Sequence, residues 1–180
     1  MPSRFFACLP LILLAGCKPP ASEDYVARVG LETRDAPGEP IDTPDTGGAG
    51  WAPSREAGRI IYGKSSQPPL FALQCRNTGG GREIVYTRYA LADADAQAVL
   101  ALIGNGHVSR LWIDATREGK RWLWRGSVPV DSPELEVLTG PNRVEATVPG
   151  AGSVILNASG LPGRLISECR RQADPREDRA

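Results

Sequence analysis

Apolar positions along this chain fall into three patterns. Near the start, Phe5 to Ala15 form an almost unbroken apolar run preceded by Arg4. Between Lys18 and Ala57 apolar residues are too sparse to bury, while prolines, glycines and acids recur. From Arg59 onward, short apolar runs of strand length alternate with turn residues, which predicts a mainly β domain.

Within that third region "RIIYG" predicts a first strand, followed by a Ser-Ser-Gln-Pro-Pro loop. "LFALQCR" puts Phe71, Leu73 and Cys75 on one face of a strand and Leu70, Ala72 and Gln74 on the other. In "REIVYTRY", Ile84, Tyr86 and Arg88 alternate with Val85, Thr87 and Tyr89, and the intervening "NTGGG" signals a hairpin. "AVLALIGNGHVSRLWIDA" predicts a second hairpin turning at Gly104-Asn105-Gly106. A helix starting at Asp93 or Asp95 and ending at Gly104 competes with it. Asn-Gly between two apolar flanks favours the hairpin.

"RWLWRGSV" reads as a strand with Trp122 and Trp124 on one face and Arg121, Leu123 and Arg125 on the other. "DSPELEVLTGPN" changes period. Asp131 or Ser132 can cap a short helix there, Pro133 suits its first turn, and Gly140-Pro141 ends it. "RVEATV" and "SVILNA" flank Pro149-Gly150-Ala151-Gly152 as a third hairpin. "SGLPGRLISECRRQ" predicts a terminal helix with Leu161, Leu165, Ile166 and Cys169 close to one face. The expected architecture is mainly β, an antiparallel β-sandwich or partly open barrel with one or two short helices. It occupies residues 58–171, and the mixed charges of residues 172–180 predict a disordered tail.

The apolar run at the start is well short of the about 20 residues that a membrane-crossing helix needs. A charged start, a short apolar middle and small closing residues describe a signal peptide over residues 1–16. Leu14-Ala15-Gly16-Cys17 resembles the lipobox of bacterial lipoproteins. That resemblance implies that the Cys17 thiol receives a diacylglycerol, that the leader is cut just before it, and that the new amino group is acylated. Residues 17–57 then form the lipidated cysteine and a flexible acidic tether, with a reach of about 35 Å. Lys18 is not the aspartate that favours inner-membrane retention, so the resemblance implies the periplasmic face of the outer membrane. The body is also similar to uncharacterised periplasmic lipoproteins of Gram-negative bacteria. Its early "LQC" and late "GLPGRLISEC" resemble the ends of domains associated with type VI secretion, a likeness that transfers no functional residue.

Given that compartment, the cysteines can be assigned. Cys8 leaves with the leader and Cys17 carries lipid, so the mature body keeps Cys75 and Cys169. An even pair in an oxidising periplasm implies a disulfide, which would pin the last helix to an early strand.

Charge narrows the partners. The 180 residues carry 21 basic and 21 acidic side chains, so there is no global basic field and no nucleic-acid partner is expected. Lys18–Ala57 holds eight acidic against four basic residues, whereas Arg59–Arg170 holds thirteen basic against ten acidic.

Catalytic chemistry finds little footing. His107 is the one histidine, and no Gly-x-Ser-x-Gly elbow accompanies it. Zinc lacks ligands once the cysteines pair. "DADAQA" begins like a calcium loop with Asp93, Asp95 and Gln97. It has Ala98 where glycine is needed and Gly104 where glutamate is needed. "GGGR" opens a strand and not a phosphate-binding helix. Asp114, Glu118, Asp131, Glu134 and Glu136 are the acids from which a carboxylate-based hydrolase would draw its pair. No enzyme, metal or cofactor is expected.

One cluster stands out: Trp112, Trp122 and Trp124 beside Arg110, Arg121 and Arg125. Tryptophan and arginine are enriched at interface hot spots, and aromatic faces stack on sugars. The same residues also suit a core of tryptophans bordered by arginines. The expected function is a non-catalytic binding or assembly module, held to membrane lipid through Cys17 and acting on an envelope protein or peptidoglycan. An alternative is suggested by the membrane-bound lysozyme inhibitors, small disulfide-bonded β lipoproteins that this chain resembles in build. Their inhibitory loop carries Ser-Gly followed by Arg or Lys and Tyr, whereas here Ser159-Gly160 precedes Leu161.

Overall fold

The computed structural model describes residues 38–173. The expected signal peptide, Cys17, the expected tether up to residue 37 and the tail beyond residue 173 lie outside the described residues. Nine strands follow one another: β1 (Gly50–Pro53), β2 (Arg59–Gly63), β3 (Phe71–Thr78), β4 (Gly81–Leu91), β5 (Gln97–Gly104), β6 (His107–Glu118), β7 (Arg121–Pro129), β8 (Val144–Thr147) and β9 (Ser153–Leu156). A 3-10 helix, η1 (Pro133–Leu138), precedes β8, and the helix α1 (Leu161–Arg171) follows β9. The strands form one sheet in the order β1-β2-β3-β4-β7-β6-β5-β8-β9, with every neighbouring pair antiparallel. It curls into a nearly closed barrel.

The alternation expected from sequence sets which face is buried. Phe71, Leu73, Ile84, Tyr86, Leu100, Leu102, Leu111, Ile113, Ala146, Val154 and Leu156 fill the interior. The Asn-Gly hairpin forms as expected, with Asn105 at φ 50° and Gly106 at φ 79°. Both central residues lie in the left-handed region, as the two-residue turn between strands requires. Asn105 also accepts from the Asn142 N–H at 2.8 Å and donates to the Val137 carbonyl at 2.9 Å, tying the turn to η1 and to the approach of β8. The acid-rich stretch before β5 is a turn and not a helix, with Asp95 at φ 59° and the Ala96 N–H donating to the Asp93 carbonyl.

One domain boundary moves. The segment read as tether up to Ala57 is folded from Gly38 onward. β1 pairs with β2 over Gly50–Pro53, Ala49 is buried, and the Ile41 N–H donates to the Gly150 carbonyl at 2.8 Å. The reason is physical. β1 turns one large side chain inward, Trp51, whose ring meets Tyr62 at 5.3 Å and Phe71 at 6.3 Å. One inward tryptophan in a four-residue strand leaves no alternation to see.

Closure depends on side chains. The Tyr62 hydroxyl, from β2, donates to the Ile155 carbonyl at 2.7 Å and accepts from the Asn157 N–H at 3.1 Å. The Asn157 amide donates to the carbonyls of Ala49 at 2.8 Å and Thr46 at 3.1 Å. These bonds join the β1–β2 side of the sheet to the β9 side.

Inside, Arg88 spans the barrel. It lies in register between Phe71 and Trp124 and is only 2% exposed. Its guanidinium donates to the carbonyls of Ala151 at 2.9 Å and Leu70 at 3.2 Å, linking β4 to the β8–β9 turn. Burial lowers its pKa to about 10, so the group remains charged at neutral pH, with carbonyl oxygens in place of a carboxylate.

Helix α1 packs beside β2, β3, β4 and η1 with Leu165, Ile166 and Cys169 buried, as its period predicted. The Cys75–Cys169 disulfide joins it to β3, with the two Cα atoms 5.7 Å apart. Arg170 reinforces that position by donating to the Val130 carbonyl at 3.0 Å and to Glu136 of η1 at 2.8 Å.

Two stability predictions follow from these links. Tyr62→Phe leaves the Ile155 carbonyl and the Asn157 N–H without their partner, and should cost about 1–3 kcal/mol in urea unfolding. Cys75→Ser opens a bridge between residues 94 apart. It should cost about 4 kcal/mol by loop entropy and make Cys169 reactive to thiol reagents on mild heating.

Candidate functional site: the outward face of β5, β6 and β8

The barrel interior is occupied by side chains, so any recognition surface has to be sought outside. The outward residues divide into two halves. Over β2, β3, β4 and β7 they form a bonded polar mesh. Arg59 bonds Glu56 at 2.7 Å and the Tyr89 hydroxyl, and Gln74 bonds Glu56 at 2.5 Å. Arg125 bonds Glu118 at 2.7 Å and Thr87 Oγ1 at 3.3 Å. These groups screen Ala72 and Thr87, which point outward yet are buried.

Over β5, β6 and β8 the outward face is different. Register places Glu145, Ile103 and Val108 in one row across the three strands. Thr147, Ala101 and Arg110 form the next row, and Val99 and Trp112 the one after. Trp112 is 75% exposed, Val108 57% and Ile103 52%. Arg110 is also exposed. No side-chain hydrogen bond or ion pair engages it among the described residues. The Glu145 carboxylate receives one long bond, from Thr147 at 3.4 Å. Three large apolar side chains are thus exposed on one face of the sheet, with Arg110 between Val108 and Trp112 along β6.

The backbone beneath Trp112 is held by an unusual contact. β7 pairs with β6 only over Asp114–Glu118 and then diverges. The Tyr86 hydroxyl, reaching from β4, donates to the Trp112 carbonyl at 2.6 Å. Gly126 makes the approach possible, since a Cβ there would stand 2.3 Å from that carbonyl and 2.6 Å from the Tyr86 oxygen. Burial, helped by the nearby Asp114 charge, raises the Tyr86 pKa, so the phenol stays a donor. Where β7 leaves, η1 covers the gap, and Ser109 Oγ donates to the Glu134 carbonyl at 2.8 Å.

The tryptophan–arginine cluster therefore separates. Trp124 is buried at 6% exposure in line with Arg88, and Trp122 is half-buried on the same inward face. Trp112 points outward beside Arg110. Arg125 and Arg121 lie near the β6–β7 hairpin, Arg125 bonded to Glu118 and Arg121 opposite that residue in register. Trp124 is thus a core residue and Trp112 an exposed one. Val99, Ile103, Val108 and Glu145 were missed. For Val108 the signal lay in "HVSRLWIDA", where Ser109, Leu111 and Ile113 share one parity and Val108, Arg110, Trp112 and Asp114 the other.

Other singled-out residues are dispersed. Glu118 engages Arg125, Glu136 engages Arg170, and Glu134 bonds Ser132. Asp114 lies outward on β6, opposite Arg125 in register, and Asp131 is exposed ahead of η1. His107 opens β6 in an exposed position. Asp93 accepts from the Gly38 N–H at 2.8 Å. Ser159-Gly160 leads directly into α1. Among the described residues no three His, Cys, Asp or Glu side chains come together as metal ligands. A shallow groove of about 350 Å³ runs along β1, β2 and the Lys64–Pro69 loop, lined by Ala52, Ile61 and Lys64 among others.

The chain matches no protein-family model, no curated protein and no solved structure.

The division of the tryptophans is directly testable. Trp124→Ala should cost about 3–5 kcal/mol as a buried aromatic truncation. Trp112→Ala should change unfolding free energy by no more than about 0.5 kcal/mol. Chemical denaturation of the two variants side by side checks both.

Proposed function

We propose that this protein is a lipid-anchored component of the bacterial cell envelope, acting as a non-catalytic binding or assembly module through the outward face of β5, β6 and β8. The observation that carries the reading is Trp112, exposed on the same face as Val108 and Ile103 and beside an Arg110 that no side-chain bond engages among the described residues. A filled barrel leaves its outside for recognition, and Trp and Arg are the residues most often found as binding hot spots. The lipobox-like Leu14-Ala15-Gly16-Cys17 supports the anchor, and the oxidised Cys75–Cys169 pair fits an oxidising compartment. The placement at the periplasmic face of the outer membrane rests on Lys18 following the cysteine. The partner class is an envelope protein or peptidoglycan. Of these the apolar rows favour a protein, since sugar platforms surround their aromatic groups with hydrogen-bonding side chains.

Metabolic labelling with palmitate tests the anchor. The natural sequence should take up label and fractionate with membranes, and Cys17→Ala should remain an unlabelled, uncleaved precursor. Equal labelling of that variant, or recovery of the natural chain among soluble cytosolic proteins, would refute the anchored reading.

A further inference from the structure

Resting on that reading of the face, we propose that the occupant of the β5–β6–β8 surface is a second copy of the same chain, packed face to face about a twofold axis parallel to β5. The motivation is the distribution of chemistry across the three strands. β5 forms the middle and presents Val99, Ala101 and Ile103 outward, an apolar stripe without charge. β6, on one side, carries Arg110, and β8, on the other, carries Glu145. Each flanking strand lies about 4.8 Å from β5.

A twofold rotation about an axis along β5 exchanges the two flanks. It lays β6 of one copy over β8 of the other, so that each Arg110 meets the partner copy's Glu145. Arg110 pairs in register with Ala101, and Glu145 with Ile103. The two charges are therefore offset by two residues, about 6.6 Å along the strand, within reach of an arginine side chain. The apolar stripes meet in the middle, and Trp112 covers the strand end beside Thr147. An isologous interface needs this self-complementarity, with one surface supplying both partners of each contact. Two sheets packed this way keep their strands within about 30° of each other.

Size sets the strength. Three strands by about 20 Å of length give roughly 300 Å² per copy. That is well below the about 800 Å² per partner of a stable complex in dilute solution. The association is therefore weak in solution and strengthened where tethered chains share one surface, because tethering raises the effective concentration.

Cysteine crosslinking of the purified full chain at high concentration tests the geometry without depending on the anchor. Ala101 lies next to the axis and the facing sheets stand about 10 Å apart, too far for a direct disulfide, so Ala101→Cys should give a dimer with a short bismaleimide crosslinker. The yield should exceed several-fold that of Ser127→Cys, which lies outward on β7, and that of the chain with neither change. Adding Arg110→Glu should reduce the Ala101→Cys dimer, and adding Glu145→Arg to that chain should restore it. Both are surface changes that leave the melting temperature unaltered, so a loss of dimer is not a loss of fold. An Ala101→Cys yield no higher than that of Ser127→Cys overturns the proposal, and so does a yield indifferent to the charge swaps. Should palmitate labelling succeed while this crosslink fails, the anchored binding module stands and the self-association falls.

Discussion

The structure depends on how the two ends of a nine-stranded sheet are joined. An open sheet of this length presents two rows of unpaired N–H and C=O groups, each a template for another chain. Here Tyr62 and Asn157 bring the ends together with four hydrogen bonds: the Tyr62 hydroxyl donates to the Ile155 carbonyl and accepts from the Asn157 backbone N–H, and the Asn157 side chain donates to the carbonyls of Ala49 and Thr46. Arg88 links opposite walls from within, binding Ala151 in the β8–β9 turn. A barrel cross-linked by a buried tyrosine, an arginine and an asparagine has its interior committed to structure. Leu100, Leu102, Ile113, Tyr86 and Phe71 fill what remains. The recognition proposed for this protein therefore belongs on the outside.

That outside is not uniform, and the contrast is informative. Arg59, Glu56, Gln74, Arg125 and Glu118 bond one another across β2, β3, β4 and β7, so that half of the surface is already satisfied. On β5, β6 and β8 an arginine and a glutamate stand apart, with Ala101 and Ile103 of β5 between them and Val108 and Trp112 on either side of Arg110 along β6. Leaving Trp112 in water forgoes the free energy of burying a large aromatic surface, of the order of 2–3 kcal/mol. A partner that covers it recovers that energy.

Much of this fold was legible in the chain because period and turn chemistry agree. The hairpin at Asn105-Gly106 carries both its apolar flanks and its turn residues, and its two strands formed with Gly104 opposite His107. The terminal helix revealed itself through Leu165, Ile166 and Cys169 at helical spacing, and the cysteine pair through compartment reasoning. What escaped notice was non-local. β1 buries a lone tryptophan, and its partners at Tyr62 and Phe71 are chosen by strand order, which no local pattern encodes. Arg88 sits at an inward parity, and the sequence carries no sign that carbonyls 18 and 63 residues away would receive it. The tryptophan cluster read as a unit because proximity in sequence was taken for proximity in space. Trp112 and Trp124 lie on adjacent paths, but opposite parity sends one outward and the other in.

The position of Trp112 also bears on how well this face is prepared to bind. Anchor residues contribute most when little freedom is lost on association. The carbonyl of Trp112 is fixed by Tyr86, whose own ring is buried and whose hydroxyl reaches it through the space that Gly126 leaves open. Its neighbours Leu111 and Ile113 are buried on either side. On the flank that β7 vacates, Ser109 is held by η1. The indole therefore projects from a backbone that is set before any partner arrives, leaving only its two side-chain torsions to be ordered. The break in the β6–β7 ladder, which weakens the sheet locally, is also the place where a core tyrosine takes over to hold the exposed tryptophan in place.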